Sequence, residues 1–67
     1  MYGKIIRFFK KTRTKNGYGF IQGSDDVTYY FSVKDCLNRD QLEVGKYVEF
    51  YVGVNAKGRT AKMVKIP

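Results

Sequence analysis

Sixty-seven residues allow one small domain, 1–67, which buries only about 60% of the surface its unfolded chain exposes and so has a thin core. The chain is 43% hydrophobic and 28% charged, too apolar for a disordered tail; less ordinary are its 16% aromatic residues and a formal charge of +7 from 13 basic and 6 acidic side chains. A core this small cannot hide six Tyr and five Phe, and exposed rings beside excess positive charge point to a flat, polyanionic partner. With Cys36 as the only cysteine there is no intramolecular disulfide and no Cys-based zinc site, which fits a reducing cytoplasm better than secretion. No apolar run reaches signal-peptide or membrane-spanning length, so a soluble cytoplasmic chain without a membrane partner is expected.

β-Branched and aromatic residues gather in five runs separated by polar turns, each predicting a short strand. The first covers 4–9 and is followed by a basic stretch, 10–16. The second covers 17–21 and closes in the turn-forming Gly23-Ser24-Asp25-Asp26. The third covers 27–31, and the longer connection after it, 32–45, has room for one helical turn, with Ser32 and Asp35 at capping-box spacing. The fourth, 47–52, alternates: Val48, Phe50 and Val52 face one way, Tyr47, Glu49 and Tyr51 the other. Tyr47 and Tyr51 are thereby candidates for an association patch. A turn around 55–58 leads to the last strand, 60–66. Five strands this short cannot cover both faces of an open sheet, so closure into a small antiparallel barrel is expected.

Tyr18 and Phe20 sit two apart on the second strand and project from one face. An aromatic pair at strand spacing is ordinarily core. Gly17 and Gly19 shift the balance toward an exposed surface, because absent side chains there let a ligand approach closely. If the second and third strands form a hairpin, Tyr30 and Phe31 join Tyr18 and Phe20 on one stacking surface for nucleic-acid bases.

Asn16-Gly17-Tyr18-Gly19-Phe20-Ile21 resembles the first ribonucleoprotein motif of the cold shock domain family. Asp25-Asp26-Val27-Thr28-Tyr29-Tyr30-Phe31-Ser32 is similar to the second. Gly3-Lys4-Ile5 matches the family's opening strand, Leu42-Glu43-Val44-Gly45-Lys46 with Val48 and Phe50 its fourth-strand stretch, and Lys57-Gly58, Ala61 and Val64 its closing strand. The resemblance implies a five-stranded OB-type β-barrel carrying an aromatic and basic platform for single-stranded DNA or RNA. It implies Lys4, Phe8, Tyr18, Phe20 and Phe31 as platform residues, Tyr30 stacking where the family has His, and Lys57 as a basic contact. The implied ligands lean toward T- or U-containing segments, and the implied role is that of an RNA chaperone.

Several positions depart from the family. Arg7 and Arg39 stand where it has rings, and their guanidinium groups can stack on a base or pair with phosphate. Thr28 replaces a third ring and cannot stack, and Tyr29 replaces a smaller aliphatic residue. The first loop is several residues longer than usual and carries Lys10, Lys11, Arg13 and Lys15, which suggests that charge on the phosphate backbone is exchanged for stacking.

Catalysis is not expected. The chain has no His, its adjacent carboxylates Asp25 and Asp26 lie in a turn, and no nucleophile elbow or phosphate-binding loop is present. No cofactor, metal or small-molecule substrate is implied. The competing expectation is a small-barrel protein-interaction module that kept the fold while Arg7, Thr28 and Arg39 degraded its nucleic-acid surface.

Overall fold

The computed structural model describes residues 1–56 and 58–67. The apolar runs form β1 (Tyr2–Phe9), β2 (Tyr18–Gly23), β3 (Thr28–Ser32), β4 (Tyr47–Asn55) and β5 (Gly58–Lys65), closed into a barrel in the order β1-β2-β3-β5-β4. The all-β, five-stranded OB-type architecture is as expected, but the barrel is mixed and not purely antiparallel. β3 and β5 run parallel where Tyr30 meets Thr60, and the other strand pairs are antiparallel. The reason is parity: an odd number of strands in a closed ring cannot alternate direction all the way round. Among the described residues no helix is long and apolar enough to cross a membrane.

Alternation along each strand sends one set of side chains inward. Ile5, Ile21, Tyr29, Phe31, Val48, Phe50, Ala61 and Val64 are all buried, with Leu42 and Cys36 from the long connection completing the core. Full burial of side chains such as Ile, Val and Phe contributes roughly 1.5–3 kcal/mol each, the main favourable term in a domain this small. Val52 departs from the expected inward set: it is 46% exposed, because the β4–β5 hairpin continues past the end of the core.

Tyr29 is accommodated by its neighbours. Its ring lies 5.2 Å from that of Phe50, and its hydroxyl donates to Asp25 Oδ2 at 2.6 Å. Gly23 makes the room, since a Cβ there would stand 2.8 Å from the Tyr29 ring. Asp25 also accepts from the Val27 N–H at 3.1 Å, so the turn before β3 and the core ring hold each other.

The helical turn after β3 is a 3₁₀ turn over Val33–Asp35. Ser32 caps it by accepting from the Lys34 N–H at 3.3 Å, but no capping box forms, because Asp35 turns away to Lys62 Nζ at 3.4 Å. A second 3₁₀ turn covers Arg39–Gln41. Cys36 is buried, its thiol donating to the Ser32 carbonyl at 3.4 Å, and burial pushes its pKa up to about 11.

Candidate nucleic-acid interface

Strand register arranges the outer face of β1, β2 and β3 as three rows. Lys4, Gln22 and Thr28 lie side by side, then Arg7, Phe20 and Tyr30, then Phe9, Tyr18 and Ser32. The four rings in this grid form one continuous cluster. Phe9 stacks on Tyr18 at 4.9 Å, Tyr18 lies 5.9 Å from Tyr30 and 6.3 Å from Phe20, and Phe20 lies 6.0 Å from Tyr30. All four remain partly open to solvent. The Arg7 guanidinium sits over the Phe9 ring at 5.3 Å, and Lys4 Nζ over the Tyr47 ring at 5.8 Å. None of the nine grid positions is acidic.

Phe9 was not among the residues expected here, and a bulge explains its presence. The β1–β2 register shifts between Ile5 and Arg7, so Ile6 is the extra residue. In a regular strand, Ile5 inward would put Arg7 inward, Phe8 outward and Phe9 inward. The bulge reverses all three. Phe8 turns toward the core and lies parallel to Phe31 at 6.3 Å, while Arg7 and Phe9 turn outward. A charged residue at position 7, on what strict alternation makes the buried face, was the available signal.

Phe31 corrects the expected platform. It is 0% exposed, because consecutive strand residues point to opposite faces and its neighbour Tyr30 takes the outer one. Gly19 is corrected with it: it is buried and makes room inward, not toward a ligand. Gly17, also buried, lies in the lining of a groove beside Tyr18 and Tyr30, where a Cβ would stand 2.7 Å from Val33 Cγ2. A Cβ on Gly19 would stand 2.4 Å from the Arg7 carbonyl oxygen and 2.8 Å from the Phe31 ring.

The basic residues divide between two grooves. One, of about 540 Å³, runs beside Tyr18 and Tyr30 and is lined by Lys15, Asn16, Ser32 and Lys34. Lys34, unremarked in the sequence, reaches it because the Val33–Asp35 turn follows directly on β3. Lys15 is held by reciprocal bonds with Thr12: Thr12 N–H donates to the Lys15 carbonyl at 2.9 Å, and Lys15 N–H to Thr12 Oγ1 at 3.2 Å. The second groove, of about 460 Å³, contains Phe8, Lys10, Lys11 and Arg39 together with the acidic Asp40 and Glu43. Arg39 is tied there by its Nε, which donates to the Cys36 carbonyl at 3.5 Å. Phe8, Lys10, Lys11 and Arg39 are thus gathered, but apart from the ring cluster. Arg13 lies exposed within the turn that Thr12 and Lys15 close. Lys57 lies outside the described residues.

No family model matches the chain, and no curated protein matches it significantly.

Proposed function

We propose that this protein binds single-stranded RNA or DNA, stacking unpaired bases on Phe9, Tyr18, Phe20 and Tyr30 and holding the phosphate backbone with Lys4, Arg7, Lys15 and Lys34. One observation carries this reading: four partly open rings form a continuous cluster on a face with basic residues and no acidic one. Flat rings accept any base, each stacked base contributing roughly 1–3 kcal/mol, and lysines along the groove meet the backbone without reading sequence. The likeness of residues 16–21 and 25–32 to the two cold shock motifs supports the same reading. Binding of unpaired stretches opposes secondary structure by mass action, which is the action of an RNA chaperone and needs no catalytic step.

The test is fluorescence anisotropy with labelled oligo-dT, oligo-U, oligo-dA and a duplex at two salt concentrations, for the wild type and Phe20→Ala. Preferential single-strand binding that weakens with salt and falls in the variant is the expected result. Equal binding to all four, insensitive to Phe20→Ala, would reduce the surface to a charge effect. No binding at low salt would retire the proposal in favour of a protein-interaction module.

A further inference from the structure

The outer face does not end at the ring cluster. Register carries its first row, Lys4, Gln22 and Thr28, one strand further onto β4, where Lys4 pairs with Tyr47. Paired strand residues project to the same side of a sheet, so Tyr47 stands on the face that carries the rings. Its ring is 66% exposed, with the Lys4 ammonium over it at 5.8 Å. Tyr2, diagonal to Tyr47 across the β1–β4 pair, is exposed on the same face. Thr28 cannot stack, so Tyr47 is the only ring in this row.

A pocket of about 280 Å³ opens here, lined by the two tyrosines with Lys4, Gln22, Ser24 and Asp26. Its walls are more apolar than those of either groove described above. Gln22 joins it to the ring cluster: it lies two residues beyond Phe20 on β2 and on the same face, about 7 Å away between Cα atoms. Lys4 is not neutralised by a carboxylate. Among the described residues it forms no ion pair, and Glu49, the next outward residue of β4, is held by Lys65 Nζ at 3.1 Å.

We infer that this pocket takes one further unpaired base of a strand already stacked on the ring cluster, laid against the Tyr47 ring, with Lys4 meeting its phosphate. The inference rests on the single-strand reading above and adds to it a subsite on the fourth strand. An apolar pocket with a tyrosine wall suits the face of a base, which is flat whatever its identity. A phosphate inside the pocket would face the Asp26 carboxylate, whereas a neutral base does not suffer that repulsion, so the base enters and the backbone keeps to the Lys4 side. An exposed ammonium–ring contact is weaker than a base–ring stack. The base therefore takes the Tyr47 ring, and the Lys4 ammonium moves from the ring to the phosphate.

The experiment is anisotropy with an oligo-dT length series across the roughly 4–16 nucleotides that an OB fold covers, for the wild type, Tyr47→Ala, Tyr47→Phe and Phe20→Ala. Phe20→Ala is expected to weaken binding at every length. Tyr47→Ala is expected to match the wild type on the shortest oligonucleotides and to bind the longer ones about fivefold more weakly or worse, the low end for one stacked base. Tyr47→Phe keeps the ring and is expected to match the wild type throughout. Tyr47 is exposed, so neither substitution touches the core. Equal affinity of Tyr47→Ala and the wild type at every length overturns the inference and leaves the ring cluster standing. An equal loss at every length overturns it too, because the ring would then act on the fold or on Lys4 and not on a base of its own. A Tyr47→Phe loss as large as that of Tyr47→Ala would put the contact in the hydroxyl and overturn the stacking. A wild type that binds no single strand at any length fails the underlying reading, and the inference falls with it.

Discussion

Phe9 lies against Tyr18 with ring centroids 4.9 Å apart and planes 22° from parallel, and this contact exists because Ile6 bulges out of the β1 ladder. The bulge exchanges the roles of two adjacent phenylalanines. Phe9→Ala is expected to weaken oligo-dT binding by roughly 1–3 kcal/mol while leaving the unfolding midpoint nearly in place. Phe8→Ala is expected to act mainly on stability, toward the roughly 3–5 kcal/mol of a buried ring truncation. Anisotropy titration and urea unfolding of both variants separate the effects, and the opposite assignment would show that β1 runs without the bulge.

Gly19 is a close-approach position under Phe31 and the Arg7 carbonyl. Gly19→Ala is therefore expected to destabilise by about 1–3 kcal/mol or more, through overpacking. Chemical denaturation measures it. A neutral effect, accompanied by weaker ligand binding, would return Gly19 to the ligand side of the sheet.

Lys15 and Lys34 line the groove beside the rings without an acidic neighbour in it, whereas Lys10 and Lys11 share theirs with Asp40 and Glu43. Removing one phosphate contact from a single-strand complex lowers the slope of log affinity against log salt by about 0.7. Lys15→Ala and Lys34→Ala should each show that change, and Lys10→Ala a smaller one. Equal slopes for all three variants would mean that the backbone does not follow the ring-side groove.

The Tyr29–Asp25 contact makes stability depend on pH in a defined direction. The Tyr29 hydroxyl, with help from the Val27 N–H, holds the Asp25 carboxyl below its ordinary 3.8 despite some desolvation. The folded chain thus binds this proton less tightly than the unfolded one, so the contribution is present above pH 3.8 and is lost as pH falls below it. The same bond to Asp25, with desolvation, raises the Tyr29 phenol above its ordinary 10.0, so on the alkaline side the contribution is present below pH 10.0 and fades above it. Urea unfolding of the wild type and Tyr29→Phe should show a wild-type advantage at pH 7 that shrinks at pH 3. A constant gap at both pH values would place the effect in packing instead of this hydrogen bond.

Strand existence was legible because it rests on local pattern. Val48 and Phe50 alternate with Tyr47 and Glu49, and the structure buries the first pair and leaves the second partly or wholly exposed. Tyr18, Phe20 and Tyr30 were likewise legible as one cluster, since two-residue spacing and a hairpin are short-range facts. Phe31 was misplaced when its strand's facing was left unresolved, and Phe9 was missed because a bulge interrupts the period on which such reasoning depends. Lys34 escaped notice because its nearness to Lys15 joins two loops that are distant in sequence.

The sequence by itself determined a small closed β-barrel rich in rings and positive charge, because composition and residue alternation act within a few neighbours. The tertiary structure decided which face each ring took, the parallel meeting of β3 with β5, the inward use of Gly19 and the placing of Tyr47 beside Lys4. Each of these follows from register and ring closure, where the position of one strand is set by partners remote in the chain, and no local pattern carries that information.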